Sequence, residues 1–142
     1  DEEGHITEDH DIRTRMVQKR LKRLEALVRE AVQPEWIGPP DADTLVICWG
    51  STVHLAAEAI TKTTRGKQAV LYFKQVYPLH PGAADLLRKA KHLCIVENNA
   101  TAQFAQILQS QLHIDIPAKI LKFDGLPFTV EQLARELDAA AG

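Results

Sequence analysis

The sequence predicts an α/β domain whose parallel sheet is covered by helices on both faces. Three runs, Leu45–Trp49, Ala69–Phe73 and Leu93–Val96, are apolar at every position, as in strands buried on both sides. Each is followed by a stretch with helical spacing, and this alternation is the signature of a parallel α/β sheet with right-handed crossovers. Gly and Pro punctuate the joints, at Pro34, Gly38-Pro39-Pro40, Gly66 and Pro81. The 142 residues are 45% hydrophobic, and a chain of this length buries roughly 70% of its unfolded surface, enough for a real core.

The elements follow in order. Residues 1–10 are acidic and polar and read as a linker. From about Asp9 to Val32, Val17, Leu21, Leu24, Val28 and Ala31 step by four, three, four and three, the stripe of an amphipathic helix. Pro34 ends it. The first apolar strand leads through Gly50 into a helix from Ser51 to about Thr64. The second strand is followed by a helix from Pro81 to Lys91, with Pro at its start and cations at its end. The third leads to a helix from Ala100 to Leu112, with Asn99 as N-cap. Residues 118–123 form a fourth strand. In the last helix Thr129 and Gln132 make a capping box, with Phe128 and Leu133 as hydrophobic staple.

The bulk numbers exclude several function classes. A net charge of −2 gives no pull toward nucleic acid or an anionic membrane. No apolar stretch approaches the roughly 20 residues of a membrane helix, and nothing has the form of a signal peptide. The two cysteines, Cys48 and Cys94, each lie inside an apolar run, which reads as buried thiols in a reducing, cytoplasmic setting. The chain starts Asp1-Glu2-Glu3 without an initiator Met, so the expectation is a fragment of a larger parent.

Two turns have the chemistry of a site. At Trp49-Gly50-Ser51-Thr52, Gly50 permits a tight turn and Ser51 is placed to cap the helix or leave amides free for an anion. At Val96-Glu97-Asn98-Asn99, Asn99 suits an N-cap and Asn98 an Asx-turn. Glu97 has no use in such a cap, and a carboxylate there is expected to pair with a base or reach solvent. A plain capped turn needs no ligand at either stretch, but it leaves Glu97 unaccounted for. Neither nucleotide-binding glycine pattern occurs. The Arg- and Lys-rich first helix is balanced by acidic neighbours and reads as a solvated or interface face. The six histidines lack metal-ligand spacing. The aromatic segment Phe73–Leu79 reads as a packed loop.

Several segments resemble, in order, one domain of the alpha subunit of 2-oxoacid:ferredoxin (or other acceptor) oxidoreductases. They are Gly4-His5-Ile6-Thr7-Glu8-Asp9 with Arg15-Met16-Val17 and Lys19-Arg20; Ala42-Asp43 leading to Trp49-Gly50-Ser51-Thr52; and Lys74-Gln75-Val76-Tyr77-Pro78-Leu79. Val96-Glu97-Asn98-Asn99-Ala100-Thr101 and Lys122-Phe123-Asp124-Gly125-Leu126-Pro127-Phe128-Thr129 complete the set. Ala102 stands where the family usually has Gly, and Leu126 where Arg is common.

The resemblance implies a transketolase C-terminal-like fold, a three-layer α/β/α sandwich with a mostly parallel sheet and one antiparallel strand, for which Glu35-Trp36-Ile37 is the candidate at an edge. The added N-terminal helix would span residues 11–32 of a domain running from 11 to 142. The parent would turn a 2-oxoacid and coenzyme A into acyl-coenzyme A and carbon dioxide, using thiamine diphosphate, Mg2+ and iron–sulfur clusters, with ferredoxin as electron acceptor. The cofactors carry that chemistry. The resemblance places thiamine diphosphate between other domains, so no catalytic, cofactor-binding or metal-binding residue is expected here, and the isolated domain is expected to be inactive. Its partners would be the other alpha-subunit domains and a beta subunit, in an oligomeric parent. Gly50, Ser51, Gln75, Glu97, Asn98, Asn99 and Gln103 are the candidate loop-organising or interface residues. The equivalent domain of another thiamine enzyme and a free-standing anion- or nucleotide-binding module are the competing expectations.

Overall fold

A computed structural model describes residues 1–140. Helix α1 (His10–Arg29) leads to β1 (Glu35–Ile37) and β2 (Thr44–Trp49), then α2 (Val53–Lys62), β3 (Gln68–Phe73) and α3 (Ala83–Leu87). β4 (His92–Glu97), α4 (Gln103–Leu112), β5 (Ala118–Leu121) and α5 (Val130–Ala140) complete the chain. The sheet has five strands in the order β1-β3-β2-β4-β5. β1 runs antiparallel to β3, with Trp36 opposite Leu71, and the other pairings are parallel.

Strand periodicity makes the three layers. Along β2, Leu45 and Ile47 face one side with Leu71, Phe73 and Ile95, against Leu87 of α3 and Phe104 and Leu108 of α4. Val46 and Cys48 face the other with Val70 and Val96, against Ala56 and Ala59 of α2 and Leu133 and Leu137 of α5. Side chains alternate faces along a strand, so strands that are apolar throughout feed two cores. The expected sandwich with one antiparallel edge strand is therefore the observed architecture. No helix is long and apolar enough to cross a membrane among the described residues.

Several element boundaries differ from expectation. α1 starts as expected, with the Asp9 side chain accepting from the N–H groups of Asp11 and Ile12, but it ends at Arg29. Within the helix its stripe does not reach the core, since no residue of α1 is buried; Ala31, past the helix end, is buried. The helix expected over 81–91 shrinks to one turn and a half. The His80 ring accepts from the Gly82 N–H at 3.0 Å and holds the start of that segment in a turn. α4 begins three residues later than expected, and β5 stops at Leu121, leaving Phe123 69% exposed. In α5 the Thr129 hydroxyl accepts from the Gln132 N–H at 3.1 Å. The Gln132 amide pairs with Glu136 instead of closing the box. Phe128 and Leu133 are both buried, as a staple requires.

α5 also secures the turn after α2. Asp138 accepts from the Thr64 N–H (2.9 Å), the Thr64 hydroxyl (2.9 Å) and the Arg65 N–H (3.1 Å). Burial pushes its carboxyl pKa up, but these bonds and the Arg65 charge outweigh that and hold it below the usual 3.8. A carboxyl whose folded pKa is depressed contributes stability above its unfolded pKa and loses it as the pH falls through the folded one. Asp138→Asn is therefore expected to lower the urea midpoint at pH 7. The gap to the unsubstituted chain should narrow as the pH falls below the usual carboxylate range and through the depressed folded value, where both come to carry a neutral group at this position. A gap that persists at low pH assigns the effect to packing.

Candidate functional site at the carboxyl ends of the strands

From β2 the chain steps outward to β3, then crosses back to β4 on the other flank of β2. The winding reverses between β2 and β4, where open α/β sheets place their ligand crevice. Trp49, Gly50, Ser51, Thr52, Val96, Glu97 and Asn98 line a cleft of about 110 Å³ at that point. Gly50 has φ +62°, a left-handed conformation that glycine adopts without penalty. It turns the chain into a short 3-10 segment, Gly50–Thr52. The expected cap does not form: Ser51 is exposed and makes no capping bond, while the Thr52 hydroxyl donates to the Trp49 carbonyl at 2.8 Å.

Glu97 overturns its expectation. It is 1% exposed, and among the described residues no basic group pairs with it. Its carboxylate accepts from the Phe104 N–H (3.0 Å), the Ala105 N–H (3.1 Å) and the Asn99 side-chain amide (2.7 Å). These backbone donors belong to the first turn of α4, where N–H groups lack intrahelical acceptors and a negative group suits the helix dipole. Glu97 is thus the cap that Asn99 was expected to be, reaching in from the end of β4. Asn99 supports the turn, its oxygen accepting from the N–H groups of Thr101 and Gln103 at 3.1 and 3.2 Å. The amides that would receive an external anion at α4 are already taken.

Ala102 sits between them with φ +51° and is 4% exposed. A left-handed backbone costs an L-residue roughly 1–2 kcal/mol, which explains why glycine suits this position. Gln103 is exposed and contributes its backbone N–H to the turn. Asn98 is exposed and borders a second, open hollow of about 440 Å³ with Lys122, Phe123, Gly125, Leu126 and Pro127. Gln75 stands apart from the cleft. Its amide donates to the Pro78 carbonyl at 2.9 Å across a loop with a cis Tyr77–Pro78 bond, and its oxygen accepts from the Val32 N–H at 3.3 Å.

The cleft is well below the roughly 300–1,000 Å³ of small-molecule pockets. The exposed large side chains tell more: Trp49 (37%) ends β2, and Tyr77 (55%), Phe123 (69%) and Leu126 (66%) follow the carboxyl ends of β3 and β5. Burial pushes the Cys48 and Cys94 thiols up to about 12, so neither is a nucleophile at neutral pH. At the chain start Asp1, Glu3 and His5 bring ligand atoms within 4.8 Å of one another, an arrangement that exposed acidic groups adopt without an ion.

No family model matches the chain. Relatives are more informative. The 2-oxoacid:ferredoxin oxidoreductase 1 alpha subunit of Sulfurisphaera tokodaii is 29% identical over 140 residues, covering 96% of this chain. The corresponding Aeropyrum pernix subunit is 30% identical over 141 residues, covering 94%. The chain spans 22% of the length of each. Among solved structures, the 2-oxoglutarate:ferredoxin oxidoreductase of Magnetococcus marinus superposes with a TM-score of 0.78 at 23% identity, covering 98% of this chain and 25% of that one. The alpha chain of a probable 2-oxoacid ferredoxin oxidoreductase from Thermoplasma acidophilum superposes at 0.54 with 28% identity, over 77% of this chain and 97% of that one. The fold, the strand-end motifs and these relatives converge, and the chain is a homologue of one segment of the alpha subunits of 2-oxoacid:ferredoxin oxidoreductases.

Proposed function

We propose that this chain is a non-catalytic structural and interface domain of a thiamine-diphosphate-dependent 2-oxoacid:ferredoxin oxidoreductase alpha subunit. In that reading residues 1–10 link it to an upstream domain and 11–142 form the domain, the last two lying outside the described residues. The parent would convert a 2-oxoacid, coenzyme A and an oxidised acceptor to acyl-coenzyme A, carbon dioxide and the reduced acceptor in the cytoplasm. The observation that carries the reading is what the motif residues do. Glu97, Asn99 and Gln75 spend their hydrogen bonds on this chain's own backbone and side chains, while Tyr77 of the Gln75 loop, and Trp49, Phe123 and Leu126 at the carboxyl ends of β2 and β5, are exposed.

The residues here do not fit the parent's cofactors. Both cysteines are buried in apolar surroundings, whereas clusters need several accessible thiolates. The strand-end cleft is too small for a thiamine diphosphate and is walled by a buried carboxylate, which repels a diphosphate. Trp49, Tyr77, Phe123 and Leu126 instead face other alpha-subunit domains or a beta subunit in the assembled parent. Titration calorimetry tests this. Thiamine diphosphate with Mg2+ is expected to give no binding heat with the 142-residue chain. The remainder of the parent's alpha subunit is expected to bind the 142-residue chain, and less tightly when that chain carries Phe123→Ser. Stoichiometric, magnesium-dependent cofactor binding would overturn the proposal.

A further inference from the structure

The α1 stripe is an apolar seam that the fold leaves uncovered. Val17 and Leu21 are 39% and 59% exposed, and Leu24 and Val28 remain partly exposed. A strict alternation of four- and three-residue steps is the narrow seam of a two-stranded coiled coil, rather than the broader face of a core helix. With Leu21 at heptad position a, Thr14 and Val28 also fall at a, and Val17 and Leu24 at d. Val28 at a and Leu24 at d follow the two-stranded preference for a β-branched residue at a and Leu at d, whereas Leu21 at a and Val17 at d reverse it, so the charged flanks carry the assignment.

The flanks decide what lies across the seam. Arg13, Arg20 and Leu27 occupy the g positions, and Asp11, Gln18 and Glu25 the e positions. In a parallel pair each g residue faces the e residue five positions on in the other helix. Arg20 then meets Glu25 and Arg13 meets Gln18, each twice by symmetry. In an antiparallel pair g faces g and e faces e, so no opposite charges meet. Arg15, Lys19, Lys22, Arg23 and Arg29 fall at the outward positions b, c and f, so their charge stays in solvent. Among the described residues, neither Arg20 nor Glu25 forms an ion pair within the chain.

We propose that α1 pairs in parallel with α1 of a second copy of this chain, burying Val17, Leu21, Leu24 and Val28 and joining Arg20 to Glu25 of the partner subunit. The proposal stands on α1 alone, whichever reaction the parent performs. The seam runs for only about 21 Å, so the pair should be weak and reversible, with a dissociation constant of roughly 0.1 mM.

Sedimentation equilibrium of the 142-residue chain from about 5 to 500 μM brackets that value. The apparent mass should rise with concentration from 15.9 kDa toward twice that. Arg20→Glu and Glu25→Arg should each weaken association about tenfold, and the double exchange should restore it. As α1 buries no residue, all three variants should keep the parent's circular dichroism and urea midpoint. Mild oxidation of Leu21→Cys should yield a disulfide-linked dimer, because a positions face each other in a parallel pair. Arg15→Cys, on the outward face, should not. A monomer at every concentration, a double exchange that fails to restore association, or equal cross-linking at 15 and 21 would overturn the proposal.

Discussion

Glu97→Ala is expected to destabilise the chain by about 3–5 kcal/mol, a large fraction of the 5–15 kcal/mol typical of a domain. The effect comes from the partners left behind. The N–H groups of Phe104 and Ala105 belong to buried residues and give their hydrogen bonds to this carboxylate, so its removal leaves them unpaired. Each buried donor left unpaired costs about 1–3 kcal/mol, more where the lost acceptor was charged. Asn99 adds less, since its half-buried amide can turn to water. In thermal unfolding the loss should appear as a midpoint lower by about 10–15 °C. Glu97→Gln keeps the shape and one accepting oxygen but aims an NH2 group at a donor, so it should fall between the two. Should Glu97→Ala unfold within about 1 kcal/mol of the parent, the capping role assigned to Glu97 is wrong.

The second large effect belongs to the next link in the same chain of contacts. Phe104 is 2% exposed and meets Phe73 edge-on at 4.9 Å and Trp49 at 6.4 Å between ring centroids. Phe104→Ala removes a fully buried ring and leaves a cavity, at a cost of about 3–5 kcal/mol. About 0.5–1.5 kcal/mol of that reflects the aromatic geometry. Phe104→Leu, which refills most of the volume, should recover more than half. Gln103→Ala, one residue away but exposed, should change stability by less than about 0.5 kcal/mol. Urea denaturation of the three variants side by side checks the ordering. A Gln103 effect as large as that of Phe104 would show that the turn, not the ring, carries the energy.

How far the sequence shows this structure depends on the range of each interaction. β2, β3 and β4 are legible because burial on both faces writes itself as consecutive apolar residues. β1 is not, because one exposed and two half-buried residues carry no period; only the resemblance to known alpha subunits marks Glu35–Ile37. Glu97 was misjudged because capping rules look within three residues of a helix start, whereas its carboxylate bridges seven and eight residues, from Glu97 to Phe104 and Ala105. Asn99 fits the local rule, yet Ala102 turns left-handed after it and the helix starts later. Periodicity identifies the α1 stripe, but that the rest of the fold leaves it uncovered is visible only in three dimensions. The outward rings of Trp49, Tyr77 and Phe123 look like any strand or loop aromatic until the sheet places their loops at one end.

β1 has a further consequence for assembly. It lies along β3 for only three residues, with Pro34 before it and Pro39-Pro40 soon after. Proline lacks the N–H that a ladder needs, so this border offers little for a foreign strand to join. The opposite border, β5, is four residues long, preceded by Pro117 and carrying the exposed Lys119. A sheet closed off in this way resists runaway strand-to-strand aggregation when its apolar loops are left uncovered. Partners must therefore be recruited through side chains, and an orphaned copy of this chain should stay dispersed rather than grow into fibrils.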